Sequence, residues 1–230
     1  MIASIRVADL PLSRVSGTLR RCRSSTNDVE GLLHADCAVA APLGPSVLPA
    51  PTIRRVVMVA TWAGDDAFDR FTSSAPLATR FETGWRVRLQ PIRASGVWPG
   101  MPTDLPRSRD VGDDGRAVVL TLGRLRLSRA AAFFRASALA EAQILRSPGL
   151  LWATGMGLPP FVGTCSLWKD AESLSRYAYG ASSAGHGQAM LADHRDNFHR
   201  LSALVRCRPY DSVGKLGGVN PSCGRLDGRG

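Results

Sequence analysis

Apolar and polar positions alternate or cluster along the chain in a way that marks most of its elements. Residues 55–62 (RVVMVATW) form a run of strand formers, and residues 85–91 (WRVRLQP) alternate as a half-buried strand does. Between them, Phe68, Phe71 and Leu77 are the apolar members of a helix over 65–81 that Pro76 interrupts. Residues 98–114 are rich in Pro, Gly and Asp and predict a connecting loop. Residues 117–122 (AVVLTL) open a second series of elements. Ser128 is placed to cap a helix whose face holds Ala131, Phe134, Ala138 and Leu145, and Pro148 ends it. A short strand over 150–156 follows. Gly155, Gly157 and Pro159-Pro160 then turn the chain into a strand over 161–168.

Asp170 offers an N-cap oxygen and Glu172 puts negative charge in a first helical turn. Leu174, Tyr177, Ala178 and Ala181 share one face of that helix. After a Gly/Ser-rich break over 182–185, a second helical piece is predicted over 186–200, and residues 203–209 make a closing strand. Strand, helix, strand, strand, helix, strand over about 116–210 is the split βαβ, or ferredoxin-like, order. An echo links the two halves. Val87 to Pro91 is followed by Gly96 and Gly100, and Val205 to Pro209 by Gly214 and Gly218. Both read V-R-x-x-P-x4-G-x3-G, which points to two related α+β halves, the first degenerate. The expected division is a disordered leader or linker over 1–53, a first α+β half over 54–115, a ferredoxin-like half over 116–221 and a flexible tail over 222–230. The leader expectation rests on the basic cluster Arg20, Arg21, Arg23 and an Ala/Pro-rich stretch over 38–51 without periodicity.

Charge and cysteine content narrow the function classes. The net charge is +10 and the pI about 10.4, but the arginines are spread along the chain and form no basic stripe. No zinc-finger or Gly-Lys-rich loop accompanies them, so a nucleic-acid partner is not expected. No run of about 18 apolar residues predicts a transmembrane helix. The five cysteines include no CxxC pair and suggest neither a disulfide framework nor a zinc site. Cys165 and Cys207 read as buried, reduced thiols, which fits a reducing cytoplasm. No nucleophile elbow, hydrolytic carboxylate pair or dinucleotide-binding G-x-G-x-x-G is present.

The run over 163–180 (GTCSLWKDAESLSRYAYG), then His186, Phe198 and residues 205–218 (VRCRPYDSVGKLGG), resembles the spheroidene monooxygenase family. The carrying motifs are Ser166-Leu167-Trp168, Tyr177-Ala178-Tyr179, His186 and the Arg206 to Gly214 segment. The stretch over 87–100, with Trp98, looks familial too. The likeness covers about 55–221. It implies a ferredoxin-like α+β barrel of the dimeric type related to antibiotic-biosynthesis monooxygenases, and hence a homodimer. It implies a monooxygenase, an oxidoreductase that inserts oxygen into a hydrophobic, carotenoid-like small molecule, with haem as cofactor. The chain departs from the family pattern at Gly180, Val213 and Leu216. Those departures keep open a second reading, a non-catalytic small-molecule-binding or interaction protein that retains the barrel.

Against that background, His186, Met190 and His194 fall on one helix face, and His186 follows the Gly/Ser-rich break. His186 is the candidate metal ligand, as an axial imidazole to haem. The alternative is an ordinary solvated face. Arg206 and Arg176, with Arg208, are candidates to pair with haem propionates or another anion, or are surface arginines. Trp168, Tyr177, Tyr179 and Met190 are candidates to line an apolar pocket, or simply core. His199 reads as a surface residue near a helix end, and His34 falls in the leader.

Overall fold

The computed structural model describes residues 1–44, 51–108, 111–180 and 197–223, apart from the side chains of 23–27 and 139. The apolar runs become strands: β1 (Ile2–Asp9), β2 (Leu32–Ala41), β3 (Thr52–Trp62), β4 (Trp85–Gly96), β5 (Ala117–Leu125), β6 (Leu150–Leu158), β7 (Phe161–Trp168) and β8 (His199–Gly214). Among the described residues four helices intervene: α1 (Leu12–Asp28), α2 (Asp65–Ser74), α3 (Ala130–Leu145) and α4 (Ala171–Tyr179). The order is thus β-α-β-β-α-β, twice. The strands close an antiparallel barrel in the order β1-β3-β2-β6-β7-β5-β8-β4. Within each half the first strand lies between the third and the fourth. The halves join edge to edge at β2–β6 and β4–β8. The barrel closure expected between two chains is therefore made within one.

Several expectations are corrected. The stretch expected to be a disordered leader instead supplies β1, α1 and β2, and β3 already begins at Thr52, so these elements belong to the first half. β1 is buried on both faces, with Ile5 and Val7 toward the barrel interior and, on the outer face, Ser4 accepting from Trp62 and Arg6 against Phe68 and Phe71 of α2. Ser128 does not cap α3; it sits in a single 3-10 turn (Leu127–Arg129) ahead of it. The helix expected to reach residue 200 does not: His199 and Arg200 begin β8. The tail does not start at 222, because Ser222 is buried and donates its hydroxyl hydrogen to Ser212 Oγ at 2.8 Å. Cys22 of α1 and Cys37 of β2 form a disulfide, with Cα atoms 6.0 Å apart, because α1 packs on the outer face of β2. The cysteine pattern therefore gives no argument for a reducing compartment. Cys165 and Cys207 are free and buried, as expected. No helix among the described residues is long and apolar enough to cross a membrane.

The repeated motif explains the β4–β8 joint. Its two copies pair antiparallel, with Leu89 opposite Pro209 and Pro91 opposite Cys207. Gly96 and Gly214, the first glycine of each copy, end β4 and β8 at φ +85° and +86°. A Cβ at Gly96 would strike the Ser202 carbonyl oxygen, and one at Gly214 that of Gly84. The barrel interior is apolar and is sealed by Trp85 against Trp152, with ring centroids 5.0 Å apart. Farther along the barrel, Arg124 lies over the rings of Trp98 and Phe161 and donates to Asp36 at 2.6 Å. His34 joins Asp36 at 2.9 Å, so this histidine belongs to the barrel.

Candidate functional site

The two halves treat the outer face of their sheets differently. In the first half that face is filled. Trp62, Phe68, Phe71 and Phe81 pack there with Met58, and the Arg6 guanidinium lies 4.6 Å from the Phe68 ring centroid. Strand register gives each position its counterpart. Arg6 stands opposite Met58 and Arg86, and in the second half Thr121 stands opposite Thr164 and Leu204. A buried arginine and a methionine are thus replaced by two threonines. From α2 to α4, Phe68 becomes Leu174, and Phe71 becomes Tyr177. On helix α3 the small Ala136, Ser137 and Ala140 line the space between the bulkier Phe133, Phe134 and Ile144. The lost volume is not made up elsewhere. It appears as a cavity of about 860 Å³ between α3, α4 and the outer face of β5, β6, β7 and β8. Small-molecule and cofactor sites usually have about 300–1,000 Å³.

The cavity wall is mainly apolar, with a few groups that can do chemistry. Gly155, Gly157 and Gly163 lie along the sheet side, and a Cβ at Gly157 would meet nothing within 4 Å. That wall is flat. Gly123 makes room for His199, whose ring occupies the space a Cβ there would take and meets Phe133 edge-on at 5.1 Å. Glu141, on α3, accepts from the Gly44 backbone N–H at 3.3 Å. Burial pushes its carboxyl up to about 6 despite that hydrogen bond. Burial, and then the charge of Glu141, push the Tyr177 phenol up to about 12. Arg93 and Arg206, cross-strand partners on β4 and β8, also line the cavity.

The sequence candidates divide accordingly. Arg206, Tyr177 and Tyr179 line the cavity, and Tyr179 is also half-exposed. Trp168 does not. It is fully buried under Tyr177, stacked at 5.1 Å and bonded to Ser166 Oγ, so it supports the wall and does not form it. Arg176 points to solvent and pairs with Glu172 at 2.6 Å on the same helix. Arg208 is half-exposed, between Asp113 and Gln90. His186, Met190 and His194 lie outside the described residues. Sequence reasoning passed over His199, Glu141 and Arg93. His199 was misplaced by extending a helix across it, whereas the apolar alternation of 201–207 could have signalled an earlier strand start. Of the family departures, Val213 and Leu216 lie away from the cavity. Leu216 is buried with the barrel interior and Val213 is exposed. Gly180 ends α4.

No protein-family model matches the chain. Curated spheroidene monooxygenases are similar to it, as the motifs led us to expect. The match to that of Cereibacter sphaeroides is 26% identical over 184 residues, 77% of this chain and 56% of that protein. The match to that of Rhodobacter capsulatus is 24% identical over 143 residues, 61% of this chain and 58% of that protein. The chain thus spans a little over half the length of these relatives. Among solved structures, an aldoxime dehydratase in complex with butyraldoxime gives a TM-score of 0.57 at 7% identity, covering 98% of this chain and 85% of that one. A further aldoxime dehydratase structure gives 0.56 at 10% identity, covering 99% and 88%. Likeness at such identity is likeness of fold alone.

Proposed function

We propose that the chain is a monooxygenase-like oxidoreductase that takes a large hydrophobic, carotenoid-like molecule at the cavity of its second half. The observation that carries the reading is the cavity itself. The second half opens its outer sheet face where the first fills it, and spheroidene monooxygenases are among the proteins similar to the chain. The apolar walls would exclude water and hold a polyene by contact alone.

Haem is the cofactor we propose. The described residues fit it in two respects: the volume suits a macrocycle, and an imidazole, His199, lines the space. His186, to which the family resemblance points, is the other candidate ligand. When bound, haem supplies redox-active iron for dioxygen chemistry. The chain's own share is to orient the substrate, keep water out and hold a proton at the Glu141 carboxyl, which stays protonated up to about pH 6.

The test is a haem titration of the purified chain followed by absorption, for wild type, His186→Ala and His199→Ala. It is paired with a product assay using a carotenoid, dioxygen and a reductant. Stoichiometric haem uptake, a spectrum altered by one of the substitutions and a product one oxygen atom heavier are expected. Carotenoid binding with neither haem uptake nor oxygen insertion would replace the enzyme reading with that of a binding protein.

A further inference from the structure

The pseudo-symmetry of the barrel identifies what one wall of the cavity lacks. Arg88 and Arg206 are counterparts, each second in its copy of the V-R-x-x-P motif. Arg88 is held by three carboxylates: Asp65 at 2.7 Å, Asp69 at 2.6 Å and Asp211 at 2.7 Å. Asp65 and Asp69 lie on α2, three and seven residues after Trp62. The same steps after Trp168 on α4 reach Ala171 and Ser175. Asp211 lies two residues after Pro209, and the same step after Pro91 reaches Arg93. So two carboxylates have become an alanine and a serine, and the third has become a second arginine. All three replacements line the cavity.

Arg206 is nonetheless buried, at 8% exposure. Its Nη2 donates to the Asp113 carbonyl oxygen, and its Nε is buried with no partner among the described residues. The Asp113 carboxylate goes to Arg208 at 3.3 Å. Glu141, the one carboxyl among the described lining residues, is turned to Gly44. A buried guanidinium with open donors, beside a second guanidinium, needs an anion to offset the cost of its desolvation. Here the protein has removed its own anions and opened an apolar space in the same place.

We infer that the cavity's ligand carries its own carboxylate, which replaces the missing Asp partners on Arg206 and Arg93. The ligand class is therefore an apolar body bearing a carboxylate head, bound with the guanidinium as a fork. This assignment rests on the cavity being the ligand site of the proposed function. The carboxylate can belong to a propionate-bearing macrocycle or to a free long-chain carboxylic acid.

The experiment compares charged and neutral forms of each source on the full chain: haem against its dimethyl ester, and hexadecanoic acid against 1-hexadecanol, read by quenching of intrinsic tryptophan fluorescence. In wild type the carboxylate form of at least one pair is expected to bind at least tenfold tighter than its neutral partner. Arg206→Gln should remove that preference. Because Arg206→Gln empties a buried position, Ala171→Asp serves as a second variant. It keeps Arg206 and returns the carboxylate that Asp65 gives Arg88, and it too should abolish the preference. Discrimination in the haem pair alone assigns the carboxylate to the cofactor, and discrimination in the acid pair assigns it to a free ligand. Equal binding of charged and neutral forms, or a preference that survives both substitutions, overturns the inference while leaving the cavity reading intact. Binding of none of the four overturns both.

Discussion

Gln90 and Arg208 face each other across the β4–β8 seam, each fourth in its own copy of the repeated motif. A residue opposite its own counterpart lies on the axis that relates the two halves. Val39 and Gly157 meet in the same way across β2–β6. The axis thus passes through both seams, and each half can be read as a control for the other.

The Asp36–Arg124 pair predicts an acid-sensitive barrel. Burial pushes the Asp36 carboxyl up, but the hydrogen bond and charge of His34 and then Arg124 outweigh it and hold the carboxyl below its ordinary value. A depressed carboxyl contributes stability above its unfolded value of about 3.9 and loses it as pH falls through the folded one. Asp36→Asn should cost about 2–3 kcal/mol at pH 7, with the gap to wild type closing below pH 4. Urea unfolding at pH 3.5 and 7 measures this, and a gap independent of pH would exclude it.

Glu141 predicts the opposite dependence. Its raised carboxyl holds a proton in the folded state that the unfolded chain has released, so stability falls as pH rises from about 4.5 through about 6. Glu141→Gln should leave stability unchanged at pH 4 and raise it by about 1 kcal/mol at pH 8, given partial exposure. Thermal melts of both proteins across that range check the sign.

Reduction should weaken the first half. The Cys22–Cys37 bridge spans 15 residues, and closing a loop of that size contributes about 3 kcal/mol in the chain-entropy account. Without reductant, the unfolded protein should titrate three thiols, Cys165, Cys207 and Cys223, and a reductant should lower Tm. Five titratable thiols in the untreated protein would contradict the bridge.

Gly96→Ala and Gly214→Ala should each destabilise by roughly 2 kcal/mol, since both sites combine positive φ with a facing carbonyl. Gly17, in α1, has open space around it, and Gly17→Ala should instead be neutral or stabilising. Equal effects at all three positions in chemical denaturation would show that the seam geometry does not matter.

The second half was legible because its signals are local. The run over 161–168 reads as a strand on composition alone, and Asp170 caps α4 as expected, accepting from Ser173 N–H at 2.7 Å. The first 41 residues were not, because what holds them is distant in sequence. β1 contains Ser4 and Arg6, which break its apolar run and are covered by residues far along the chain, Ser4 by Trp62 and Arg6 by α2. β2 is alanine-rich and carries little periodicity. The cavity was invisible for a different reason. It follows from bulk that is missing, Thr121 against Arg6 and Thr164 against Met58, and only strand register brings those residues into comparison. The repeated motif was the one sequence signal of the axis, and all four of its glycines have positive φ.

The unequal filling of the two halves also has a dynamic consequence. α2 rests on a packed aromatic layer, whereas its counterpart α4 and the alanine-rich α3 stand over 860 Å³. Helices with fewer apolar neighbours open locally at lower cost. In the ligand-free chain the amides of α3 and α4 should therefore exchange with deuterium before those of α2. A molecule seated beneath them would slow that exchange and leave the first half as it was, so the protein breathes on the side where the cavity lies.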